Sequence, residues 1–225
     1  MIRAEVVEQI KAQCEFLEKD GYVFHHQPNR VWYEKNEETR GFVIAFNYLV
    51  YDFLDVYGLT AYMRFNEVEN VFQQIQHGRL EDFHTIHIQF HGDDFREMIN
   101  QEILPTKDNY HFEISGTAGA VSYAALITAF YKEKVLPFFN TYAAISAVND
   151  WVASQPVNEH SNLISSDGNA MVLRRIMIMY YAGDNGYEGL LNEYKAYLET
   201  KKNESVFRNI YQDLLEMEKH LHRLL

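Results

Sequence analysis

Three histidines and two aspartates fall within the twelve residues Phe83-His84-Thr85-Ile86-His87-Ile88-Gln89-Phe90-His91-Gly92-Asp93-Asp94. Imidazole binds metals and exchanges protons near neutral pH, and a carboxylate beside it can orient it for either task. His87 and His91 have the His-x-x-x-His spacing that places two zinc ligands on one helical face. Their surroundings point to a strand instead, because Ile86, Ile88 and Phe90 alternate with His87, Gln89 and His91. In a strand, residues four apart are separated by ~13 Å. No metal site is therefore expected, and His87 and His91 are read as lining a polar sheet face. Asp93 stands where it can orient His91, whereas Asp94 is read as the cap of a helix from Phe95 to Ile103.

Arg174 and Arg175 interrupt the apolar runs Met171-Val172-Leu173 and Ile176-Met177-Ile178-Met179. A helix apolar nearly all round is buried, and a buried guanidinium requires a partner. The structural reading is an ion pair between the C-terminal half and an acidic residue of the N-terminal half; the functional reading is recognition of an anionic ligand. Ser115-Gly116-Thr117-Ala118-Gly119 precedes a helix but lacks the ending of a P-loop and the spacing of a dinucleotide fingerprint. There is no Gly-x-Ser-x-Gly elbow. Cys14 is the only cysteine, which excludes an intrachain disulfide and a cysteine-rich zinc site and points to a reducing compartment.

The elements that must position these residues follow from periodicity. Ile2, Val6, Ile10, Cys14 and Leu17 predict a helix over 2–19, stopped at Asp20-Gly21. Tyr22 to His26, Val31 to Lys35, Phe42 to Tyr51 and Val56 to Phe65 are aromatic and β-branched, and read as antiparallel strands. Asn66 and Glu69 have the spacing of a capping box opening a second helix. The histidine stretch is the next strand. Helices then take over: Gly116 to Leu136 halted by Pro137, Ile145 to Val152, Gly168 to Tyr181, Tyr187 to Leu198, and Ser205 to Leu225. Gln155 to Asp167 is the expected mobile loop. Phe207, Ile210, Leu214, Met217, Leu221 and Leu224 form a heptad seam, matched by Tyr187, Leu191, Tyr194 and Leu198. An antiparallel hairpin within one chain is the reading, and a homodimer seam its alternative.

The fold class is thus α+β: an N-terminal antiparallel sheet with helices, over 1–115, packed against a helical C-terminal half, over 116–225. With 47% apolar residues the 225-residue chain can bury such a core. The order of elements, with Leu136-Pro137-Phe138-Phe139 and Asn149-Asp150-Trp151, resembles an uncharacterised family of small bacterial cytosolic proteins. That resemblance supports the fold and carries over no functional residue; the cytoplasmic location is expected from the lone cysteine and the absence of a bilayer-length apolar run.

The net charge is −12, with 20 acidic and 10 basic residues up to Ser115 and 12 and 10 beyond it. Such a gradient argues against nucleic acid and suits a cationic partner. The longest apolar stretch, Thr117 to Tyr131, is shorter than the ~20 residues of a bilayer span, so no membrane is expected. The functional expectation is a non-enzymatic binding or protein-interaction module without cofactor, monomeric or homodimeric. It would receive a cationic protein on its acidic sheet half, as a toxin-neutralising immunity protein does. The alternative is a small-molecule-binding protein or enzyme with a pocket between the halves, lined by His87, His91, Asp93, Arg174 or Arg175.

Overall fold

A computed structural model of the chain describes residues 2–76, 84–99, 103–105, 111–164 and 170–223. The fold is α+β. Helix α1 (Ile2–Gln13) and the short α2 (Glu15–Lys19) lead into β1 (Val23–Gln27), β2 (Arg30–Asn36), β3 (Arg40–Val50) and β4 (Leu54–Phe65). Then come α3 (Asn66–Gln76), β5 (Ile86–Gln89), β6 (Ile103–Pro105) and β7 (His111–Ile114). The remainder is helical: α4 (Gly116–Phe130), α5 (Leu136–Thr141), α6 (Ile145–Ser154), α7 (Ala170–Tyr181), α8 (Tyr187–Lys201) and α9 (Ser205–Arg223). The strands join in the order β1-β2-β3-β4-β7-β6, and β5 pairs with β4 off that path. No helix among the described residues is long and apolar enough to cross a membrane.

Two compact units interleave along the chain. The first comprises residues 1–37, 41–62 and 88–140, the second 38–40, 63–87 and 141–225. Each takes residues from both sides of Ser115, so the charge gradient along the chain largely disappears. The first unit holds 16 acidic and 9 basic residues, the second 16 and 11.

In the first unit, β2 and β3 turn Val31, Tyr33, Ile44 and Phe46 to one face, all buried. There the Tyr123 ring of α4 lies 5.3 Å from Phe46 and 6.3 Å from Phe112 of β7. The long helix expected from Gly116 does not stop at Pro137. A π-helical turn over Tyr131–Val135 carries it into α5, and the Leu136 amide bonds to the Tyr131 carbonyl. Proline clashes with the carbonyl four residues before it, and the widened turn lets the chain remain helical around Pro137. The first helix breaks at Cys14, whose amide is shared by the Ile10 and Lys11 carbonyls.

In the second unit, α9 packs on α8 and α3. Leu191 and Leu198 are buried, as are Leu214, Met217 and Leu221 across the seam. Lys195 donates to both oxygens of Glu218, at 2.9 and 2.6 Å. The hairpin read from the heptad pattern is therefore present within the chain; Leu224 lies outside the described residues. The expected mobile loop is only partly described, residues 165–167 lying outside. Its earlier part is anchored: Val157–Asn162 forms a 3-10 turn, and buried His160 donates from Nε2 to the carbonyls of Val152 at 3.0 Å and Gln155 at 3.1 Å.

Candidate functional site

Arg174 is the clearest of the arginine expectations. Its Nε and one Nη donate to the two oxygens of Glu69 at 3.0 and 3.1 Å, and its guanidinium lies 4.6 Å from the centre of the Phe72 ring. Thr85 donates to Glu69 at 2.9 Å and accepts the Phe65 amide at 3.0 Å. Arg174, Glu69 and Thr85 are 2%, 0% and 0% exposed. This network is closed and has no face to offer a ligand. Glu69 is not the capping-box partner its spacing implies; Asn66 instead accepts from Arg64 and donates to the Glu38 carbonyl.

Arg175 is half-buried on α7. Burial lowers its pKa from the usual arginine value, against the pull of Glu193 and Asp184, and its Nε makes no hydrogen bond among the described residues. Two nearby carboxylates make this a poor place for an anion.

His87 lies on β5, as expected for a strand, and its amide donates to the Leu163 carbonyl at 2.9 Å. Desolvation holds its imidazole below the ordinary histidine pKa, partly offset by a hydrogen bond to the Leu163 backbone. His91 and Asp93 are exposed. The helix expected from Phe95 is a 3-10 turn over Gly92–Met98, with no side-chain cap. Asp93 accepts from Arg96 at 2.9 Å, and Asp94 pairs with Lys134 at 3.0 Å. His91 and Asp93 belong to the first unit; His87, Arg174 and Arg175 belong to the second. No group of three or more metal-binding side chains occurs among the described residues.

A different constellation gathers on the sheet of the first unit, on the face opposite α4. Alternation sets it: Phe46 and Phe112 turn towards Tyr123, so the residues between them turn away. On β1 and β2, His25 and Trp32 are directly opposed, with rings stacked at 4.9 Å and 11°. Arg30 lies 5.6 Å from the Trp32 ring, and Glu34 is 3.8 Å from His25 Nε2. Ala45 of β3 stands opposite Trp32 and gives the indole room, while Asn47 stands opposite Arg30.

On β4 and β7, Tyr57 opposes His111 with rings stacked at 5.0 Å and 7°. His111 Nδ1 is 3.3 Å from Asp55 Oδ1, and Asp55 is 6% exposed. A carboxylate only accepts, so Nδ1 is the donor in this bond. Gly58 bends the strand beside them with φ +65°, and a Cβ there would stand 3.4 Å from the Asn47 amide nitrogen. Glycine takes that positive φ without the steric cost another residue would meet.

Sequence reasoning passed over Trp32, Asn47, Asp55, Tyr57 and His111. The run His111-Phe112-Glu113-Ile114 shows the same alternation as the histidine stretch, but its partner Asp55 is 56 residues away. Only strand register brings them together. Comparison with protein-family models, curated proteins and solved structures found no match for this chain.

Proposed function

We propose that the chain is a binding module that receives a protein partner on this polar sheet face and performs no chemistry on it. The observation that carries the reading is the pair of aromatic stacks, His25 on Trp32 and Tyr57 on His111, flanked by the half-buried carboxylates of Glu34 and Glu113. Stacked rings have little rotamer freedom left to lose, so contact area on them is gained at low entropic cost, and Trp and Tyr are the residues on which binding energy concentrates. Flanking carboxylates favour lysine or arginine on the partner, through charge and through the ring faces.

The test uses the whole chain as bait against a cell extract, with Trp32→Ala/Tyr57→Ala as the paired bait. A basic protein should be held by the first, released by salt, and held ~30-fold more weakly by the second, as for loss of an aromatic hot spot. A partner held equally by both baits would exclude this face. The Asp55–His111 pair favours one second reading, an imidazole poised as a general base. On that reading His111→Asn would abolish a hydrolytic activity while partner capture persisted.

A further inference from the structure

The terminal strand β1 has one strand neighbour, β2, among the described residues. The hairpin joining them turns at Pro28-Asn29, with Asn29 at φ 70°, and closes on the directly opposed residues Gln27 and Arg30. In a two-residue hairpin the closing pair exchanges both backbone bonds, and such pairs recur at every second residue. Val23, His25 and Gln27 therefore spend their amides and carbonyls on β2, while those of Phe24 and His26 face the open side. No hydrogen bond reaches those groups there among the described residues.

Proteins ordinarily blunt such an edge with lysine, proline, an inward charge or a bulge. The strand Val-Phe-His-His-Gln has none of these; its register runs unbroken from Val23 to Gln27, and Val23 is 59% exposed. At the other end of the strand order, the described part of β6, Ile103–Pro105, carries a proline, one of the residues that discourage edge pairing.

We propose that β1 is the interface of a homodimer in which two copies pair antiparallel across this edge, about a two-fold axis beside His25. In that register Phe24 faces the partner's His26, and His26 faces the partner's Phe24. These are the residues whose backbone groups point outwards, so four hydrogen bonds form and no donor is misplaced. Val23 meets the partner's Gln27, and His25 meets the partner's His25 as a non-hydrogen-bonded pair. The strand itself carries no lysine, arginine or carboxylate; the nearby Lys11 ammonium rests on the Phe24 ring at 4.8 Å. Phe24 and His26, already 6.4 Å apart and on one face, become half of a four-ring cluster. Both copies use the same edge about a two-fold axis, so association closes at two copies instead of growing into a fibre. A five-residue pairing buries well under the ~1,600 Å² of a standard interface, so the affinity expected is micromolar or weaker. Each copy carries −12, so salt should tighten the dimer by screening repulsion. A cationic partner on the sheet face would respond to salt in the opposite direction.

The test is sedimentation of the full chain over a wide concentration range at low and high salt, joined to cysteine cross-linking. Opposed residues of a non-hydrogen-bonded pair have Cα atoms ~4.5 Å apart, within disulfide reach. His25→Cys should therefore oxidise to a covalent dimer. Gln27→Cys should not, its two copies being ~13 Å apart. Cys14 is 0% exposed and does not compete. His26→Pro removes an outward amide without touching the β2 ladder and should weaken the dimer at least tenfold more than His26→Ala, which equally loses the ring and its 2.7 Å bond to Tyr48 but keeps the amide. A chain monomeric at every concentration overturns the proposal. So does a dimer in which Gln27→Cys cross-links as readily as His25→Cys, or one that His26→Pro leaves intact.

Discussion

Replacing Arg174 by methionine removes one partner of a pair that is sealed from water. Glu69, 0% exposed, would keep only the Thr85 hydroxyl at 2.9 Å after losing both guanidinium bonds. A buried carboxylate with one donor is costly, and breaking such a pair typically destabilises by ~3–5 kcal/mol. The lost contact with Phe72 works in the same direction. Glu69→Met alone should also destabilise, because the buried guanidinium loses both of its bonds to the carboxylate. Glu69→Met/Arg174→Met removes both charges and fills the space with thioethers, so it should be far less destabilising than the two single costs together. A more accessible pair sets the scale: Lys195 and Glu218 meet at 2.6 Å with side chains 34% and 20% accessible, and Lys195→Met should cost far less than the sealed pair, about 1 kcal/mol. The assay is urea unfolding followed by tryptophan fluorescence in a Trp32→Phe background. Trp151 then reports from the unit that contains the pair, and circular dichroism checks that one transition describes the loss of structure. If the single costs simply added in the double variant, to within ~0.5 kcal/mol, the network would not be the coupled unit its geometry implies.

Stability should fall as pH drops below ~6.5, the ordinary histidine value, through the depressed pKa of folded His87. The unfolded chain binds the proton more readily there, so the contribution is complete above the unfolded pKa and is lost on acidification. His87→Leu should flatten that part of the curve, and an unchanged curve would remove His87 as its source. Leu214, 0% exposed on the α8–α9 seam, should cost ~2–5 kcal/mol when cut to alanine; retained stability would show that the seam is not core. Burial pushes the Cys14 thiol up to about 12, so a thiol reagent should label native protein only as fast as it unfolds. Immediate labelling in the absence of denaturant would contradict that burial.

Patterns of short range were legible without coordinates. The α8–α9 hairpin is written in a heptad spacing, and the strand character of Ile86 to Gln89 in strict alternation, because each depends on neighbours within a few residues. Arg174 could be read as needing a carboxylate, since no apolar helix tolerates a bare guanidinium. The break at Cys14 and the π turn before Pro137 were not legible, since both settle small backbone conflicts that residue type alone leaves open.

What the sequence by itself determined is the class of most segments, though not of Phe95 to Ile103, the α+β composition, and the demand that particular buried charges be matched. The tertiary structure alone decided which groups meet: Glu69 with Arg174 across 105 residues, Asp55 with His111 across 56, and His25 on Trp32 through the turn at Asn29. The physical reason is that periodicity records which side of an element faces the core. Strand register and helix packing, which place one element against another, depend on the sum of many weak contacts spread along the chain.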